Sequence, residues 1–142
     1  MRNLALAGLT LVLTASLAVA GGQQMAAEVA PDGKSLRLHT YRCGTPASLR
    51  ITGTAEGILA GKRQTIPLAI SRADAEGIFT LTRQWPVEGT WVLTFAVDGG
   101  ARTAAIVELE PGPDLKIASQ ESRRKEPEPR EIETVLARMA SR

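Results

Sequence analysis

Cysteine, histidine and tyrosine each occur once in this chain of 142 residues, and aromatic residues make up only 4% of it. A single cysteine, Cys43, excludes an internal disulfide, so the domain must hold together by burial alone. One histidine and one cysteine fall short of the three or four soft ligands of a zinc or copper site, so no metal and no cofactor is expected. A surplus of charge is missing too. Lys and Arg number 17 against 15 Asp and Glu, and residues 21–110 carry nine of each. Without a basic stripe nothing draws nucleic acid. The chain also lacks the run of about twenty apolar residues that a membrane helix needs. Its longest apolar stretch, Leu4 to Leu13, is interrupted by Gly8 and Thr10.

That stretch has a different meaning. Arg2 stands before it, and Leu17-Ala18-Val19-Ala20 follows with small residues where a signal peptidase cuts. Residues 1–20 therefore read as an export signal cleaved after Ala20, with Ala26 or Ala27 as later alternatives. The product is expected to be exported, to the periplasm or outside the cell, with no membrane span left after cleavage.

What the chain does have is alternation. Trp91, Leu93, Phe95 and Val97 share one parity, Val92, Thr94 and Ala96 the other. Asp98-Gly99-Gly100 turns the chain, and Ala105, Val107 and Leu109 return, which is the pattern of a β-hairpin. Both tryptophans and one of two phenylalanines lie between Trp85 and Leu109, so the core is expected here. Pro31-Asp32-Gly33-Lys34 is a turn. Ser35 to Arg42 alternates, with Leu36 and Leu38 on one face and Arg37, His39 and Tyr41 on the other. In Ser48 to Leu59, Gly53 and Ala55 suit a bulge or a close crossing of sheets, and Gly57 resets the parity. Ile66, Leu68 and Ile70 form a strand that Pro67 confines to an edge. Phe79 and Leu81 share a face in the next. Gly22 to Ala30 is either a short first strand or a loose terminus. Six strands and a possible seventh, spaced by turns over residues 21–110, predict an all-β, immunoglobulin-like antiparallel β-sandwich.

Beyond Leu109 the composition changes. Prolines recur at 111, 113, 127 and 129, and 13 of the last 32 residues are charged. Residues 111–128 read as a disordered charged linker. Within 129–142, Ile132, Val135, Leu136 and Met139 fall at i, i+3, i+4 and i+7, one face of a short amphipathic helix. Pro129 suits its first turn, and Glu131 and Arg138 suit the helix dipole. Such a stripe after a linker is expected to dock on a protein partner, and cutting the chain near Pro111 to leave the sandwich's stability unchanged.

The segments Leu49-Arg50-Ile51-Thr52-Gly53-Thr54-Ala55, Gly77-Ile78-Phe79-Thr80-Leu81 and Gly89-Thr90-Trp91-Val92-Leu93-Thr94-Phe95 resemble bacterial exported immunoglobulin-like modules, among them carboxypeptidase-regulatory-like and YtkA/FixH-like domains. The resemblance covers roughly residues 35–110. It implies a non-catalytic sandwich serving as an accessory module in the cell envelope. Copper-associated members of that wider group use His and Met ligands. This chain has one His and three Met, so a metal role is not carried over.

Candidate chemistry is sparse. His39 and Cys43 share a strand face but stand about 13 Å apart by strand rise, too far for a nucleophile pair. Glu56, Asp74, Glu76, Glu88 and Asp98 sit mostly in turns, where acids are ordinary. Glu121, Glu126 and Glu128 offset the Arg123-Arg124-Lys125 run. No catalytic residue is assigned. Trp85, beside Pro86 at a strand end, is a candidate exposed platform for a carbohydrate or peptide. Ile132, Val135, Leu136 and Met139 are the candidate partner-binding residues. The function expected is a non-enzymatic binding or accessory module recognising a protein partner, with carbohydrate or peptide binding as the alternative and an enzyme as the third.

Overall fold

A computed structural model of the chain describes residues 22–98 and 102–142. The export signal expected over residues 1–20, and Gly99-Gly100 of the hairpin turn, lie outside the described residues. Among the described residues, ten strands and one helix follow in order: β1 Gln23–Val29, β2 Ser35–Arg42, β3 Thr45–Pro46, β4 Arg50–Leu59, β5 Lys62–Pro67, β6 Ser71–Arg72, β7 Ile78–Thr82, β8 Thr90–Asp98, β9 Arg102–Leu109, β10 Ile117–Arg123 and α1 Pro129–Ala140. All pairings are antiparallel. One sheet runs β1-β2-β7-β6, with β3 paired to β2, and the other runs β10-β9-β8-β4-β5. The two sheets face one another as an all-β sandwich.

Alternation decides which residues lie between them. Leu36, Leu38, Phe79 and Leu81 from the first sheet meet Trp91, Leu93, Phe95, Val97, Ala105 and Val107 from the second. Trp91 is buried, as its parity predicts, and its indole N–H donates to the Glu88 carbonyl at 2.8 Å. Glycines on β4 make room for the rings. Gly57 pairs with Trp91 and Gly53 with Phe95 in an unbroken register. A Cβ on Gly57 would lie 2.3 Å from the indole, and one on Gly53 2.7 Å from the Phe95 ring. The small residues of β4 therefore mark neither a bulge nor a change of parity. Gly53 and Gly57 are each the floor of an aromatic ring across the strand pair, and Ala55 between them faces Leu93.

Local turn chemistry sets the hairpins. Ala60 and Gly61 both have positive φ, 50° and 74°, which matches the right-handed twist of β4 and β5. Between β1 and β2 the Asp32 carboxylate accepts from the N–H of Lys34 at 2.9 Å and from the N–H and hydroxyl of Ser35. The Lys34 N–H is the main cause holding that carboxyl below its usual range. The strand expected through Ile66, Leu68 and Ile70 ends at Pro67, because the chain changes sheets there. β5 pairs only with β4 and is an edge, while Ser71–Arg72 already pairs with β7.

Two glutamine side chains finish the sandwich sides. At the crossing, Ala69 donates to Gln84 Oε1 at 2.7 Å while Gln84 Nε2 donates to the Ala69 carbonyl at 2.8 Å. On the opposite side, Ala27 of β1 donates to Gln120 Oε1 at 2.8 Å, and Gln120 Nε2 donates to the Ala27 carbonyl at 2.9 Å. Each amide stands where a peptide unit of another strand would stand.

The segment expected as a disordered linker is corrected by this arrangement. Leu115 is buried in the main core, and Ile117–Arg123 pairs with β9 across a small register shift near Ser119. Pairing is made by the backbone, which composition does not register, and five of the seven β10 side chains are exposed. The helix forms where its period predicts. Its stripe is not free, however: Ile132 and Leu136 are buried against Val92 and Ile106, with Val135, Met139 and Ile58 at the margin.

Trp91→Ala is expected to lower the unfolding free energy by about 3–5 kcal/mol. Gly57→Ala should cost about 1–3 kcal/mol through overpacking, and much less in a Trp91→Ala background, since both residues make one contact. Equal penalties in the two backgrounds, by chemical denaturation, would show that the indole does not rest on Gly57. Removing residues 111–142 takes Leu115 from the core and uncovers Val92 and Ile106. We expect this truncation to destabilise by several kcal/mol, at about 1.5–3 kcal/mol for each large side chain unburied. A truncated chain that melts with the intact one would return the helix to the status of a tethered appendage.

Candidate functional site

The outer faces of the two sheets differ. On the first, Arg37, His39 and Tyr41 of β2 point to solvent. His39 Nε2 lies 3.0 Å from Glu28 Oε1, and its ring stacks on Tyr41 with centroids 6.3 Å apart. Cys43 is exposed in the tight turn before β3, with φ 50°. Among the described residues no three His, Cys, Asp or Glu side chains gather as metal ligands.

The outer face of the second sheet is divided. Cross-strand pairs share a face, so register gives the rows: Ile58 with Thr90, then Thr65, Glu56, Val92 and Glu108, then Thr54, Thr94 and Ile106, then Thr52 and Ala96. Val92 and Ile106 lie on the β8–β9 side, and the threonines gather on the β5–β4 side up to Thr94. Helix α1 covers the apolar part. Two ion pairs fasten it, Arg123 of β10 to Glu131 and Glu108 of β9 to Arg138. Glu108 is buried beneath the helix. Its Oε2 accepts no hydrogen bond among the described residues, and Arg142 Nη1 stands 3.9 Å away. A buried ion pair of this kind is weak evidence for stability, because desolvation offsets much of its attraction.

Beside the first turn of the helix, the hydroxyl part of the sheet remains open as a groove of about 450 Å³. Thr52, Thr54, Thr94 and Thr65 line its floor with Glu56 and Arg63. Pro127, Pro129 and Ile132 wall it on the helix side, with Glu126. A second hollow of about 220 Å³ adjoins it, sharing Thr52, Ala96 and Glu126 and adding Arg50 and Asp98. Together they form an elongated trough in the size range of ligand sites. Its floor is a connected hydrogen-bond network. Glu56 Oε2 accepts from Arg63 at 2.9 Å and from Thr65 at 2.7 Å, and its Oε1 accepts from Thr54 at 3.2 Å. The Thr54 and Thr94 hydroxyl oxygens are 2.7 Å apart.

The residues singled out from the sequence lie elsewhere. Trp85, expected at the surface, is 4% exposed. Leu109 and Leu115 share its core, and the Arg83 guanidinium lies 5.7 Å from its ring centroid. Arg83 also reaches the Gly112 carbonyl, so the turn after β9 closes over the indole. Proline after Trp85 signals a strand end and says nothing about what folds back upon it. Ile132, Val135, Leu136 and Met139 do form one face, and that face rests on the chain's own sheet. Sequence reasoning missed Thr52, Thr54, Thr65 and Thr94. The available signal was their shared outward parity on neighbouring strands, but only the register shows that they converge.

No described helix is long and apolar enough to cross a membrane. Comparison with protein-family models, with curated proteins and with solved structures finds no match for this chain.

Proposed function

We propose that the chain is an exported, non-enzymatic binding module of immunoglobulin-like fold, which recognises a protein partner through the groove beside α1. The observation that carries this reading is the divided sheet face, sealed by a helix over its apolar half and left as an open hydroxyl-floored trough over the other. The strand order supports the fold assignment. β1-β2-β7-β6 against β9-β8-β4 follows the ABED and GFC order of immunoglobulin domains, with β5 added beside β4 and β10 beside β9. A protein ligand is favoured over a carbohydrate because both tryptophans are buried, whereas a sugar site stacks its rings on exposed aromatics. An enzyme is disfavoured because Glu56, the carboxylate on the floor, already accepts from Arg63, Thr65 and Thr54, and no nucleophile and base face each other across the groove.

Export is tested by N-terminal sequencing of the protein recovered from the periplasm of a bacterial host. A mature terminus at or near Gly21 is the expected result, and a retained Met1 would remove the exported half of the reading. Binding is tested with a photo-cross-linking residue at Thr52, compared with one at Thr80 on the outer face of the other sheet. Position 52 should give a discrete protein adduct in the native envelope that Thr94→Arg, which fills the groove, abolishes. Adducts from both positions alike would overturn the groove as the recognition surface.

A further inference from the structure

The groove floor has a direction of hydrogen bonding that narrows what it accepts. A hydroxyl carries one proton. Thr54 gives its proton to Glu56 Oε1, and Thr65 gives its own to Glu56 Oε2. With Thr54 donating to Glu56, its single proton is used, and the donor in the 2.7 Å contact between Thr54 and Thr94 is Thr94. All three protons point inward, along a chain that ends on the Glu56 carboxylate. What these oxygens turn toward the groove is lone pairs. A chain of hydroxyls ending on a carboxylate polarises each member, so Thr94 is a stronger acceptor than an isolated threonine.

Charge around the floor agrees. The linings of the groove and its adjoining hollow carry three acids, Glu56, Asp98 and Glu126, against Arg50 and Arg63. Arg63 is paired with Glu56. Glu126 and Asp98 are exposed, and neither makes an ion pair among the described residues. The opposite wall is apolar, made by Pro127, Pro129 and Ile132. An acceptor-rich floor, a free carboxylate at the rim and an apolar wall complement one kind of side chain: a long aliphatic stem with a cationic, donor-rich head.

We infer that the groove takes an arginine or lysine side chain carried on an extended segment of a protein partner. The stem lies along Pro127, Pro129 and Ile132, and the head meets the oxygens of Thr94 and Thr65 and the carboxylate of Glu126. The elongated trough lets neighbouring peptide residues run on toward Asp98. This inference rests on the groove being the recognition surface, and names its ligand.

The test is a titration of the purified, isotope-labelled protein, followed by backbone amide shifts, with three peptides at low ionic strength: Gly-Arg-Gly-Arg-Gly, Gly-Gln-Gly-Gln-Gly and Gly-Glu-Gly-Glu-Gly. The arginine peptide should shift the amides of Thr52, Thr54, Thr65 and Thr94 saturably, and added salt should weaken it. Glu126→Gln, an exposed and structurally neutral change, should weaken binding by about 3- to 10-fold, and Thr94→Val by a similar factor, the range of one lost hydrogen bond. Groove shifts produced equally by the glutamine or glutamate peptide would overturn the cation assignment while leaving the groove as a binding surface. Arginine-peptide shifts confined to the Glu28 and Asp32 side of the molecule would overturn it as well. So would the absence of groove shifts with all three peptides, and cross-linking at Thr52 then decides separately whether the groove binds anything.

Discussion

The fit of two aromatic rings onto two glycines is the constraint on which the rest of this sandwich depends. Trp91 and Phe95 project inward from β8, the strand central to its sheet, and each lies over a glycine of β4. Without a Cβ at positions 53 and 57 the rings turn flat along the neighbouring strand. The inner face of β8 therefore becomes wide rather than tall, and the opposing Leu36, Leu38, Phe79 and Leu81 can approach it. In a chain with two tryptophans and two phenylalanines, these two rings are among the largest side chains available to the core, and both are buried. Because parity is strict, the same choice sends Val92, Thr94 and Ala96 to the other face, and so determines what the helix and the groove are built upon.

Much of the architecture was legible because alternation is a direct print of burial. Ser35 to Arg42 could be read end to end, and so could the partition of the β8–β9 hairpin into inner and outer residues. The edge position of β5 followed from Pro67. The failures share a cause. β10 looks like a linker because an edge strand with exposed side chains is held by main-chain hydrogen bonds, which leave no trace in composition. Trp85 looked exposed because the turn that covers it comes from residues 111–115, far along the chain. The groove was illegible for the same reason at a higher level. A threonine on an outward position is ordinary, and only the register of β5, β4 and β8 turns four of them into a floor.

Helix α1 shows how local and tertiary signals can agree on an element and disagree on its role. Its period, its proline at the start and its acidic and basic ends all predict a helix, and a helix forms. An amphipathic stripe says only that something apolar must cover it. Here the covering surface is the outer face of the chain's own sheet, at Val92 and Ile106, which strand alternation had left apolar where solvent was expected. Stripe and patch are two halves of one requirement, with Val92 and Ile106 far before Ile132 and Leu136 in the chain. The helix does not cover the whole sheet, and the place where it starts, at Pro129, sets where the groove begins.

The two glutamine clamps carry a consequence for how the molecule meets copies of itself. A sandwich has unpaired strand margins, and an unpaired margin invites a second molecule to add its own strand, the first step toward insoluble aggregates. Ala27 and Ala69 offer their N–H and carbonyl to Gln120 and Gln84, so two of the places where such growth could start are already occupied. The occupant is a neutral amide. It neither titrates nor is screened by salt, so this protection against self-association persists across a wide range of acidity and ionic strength.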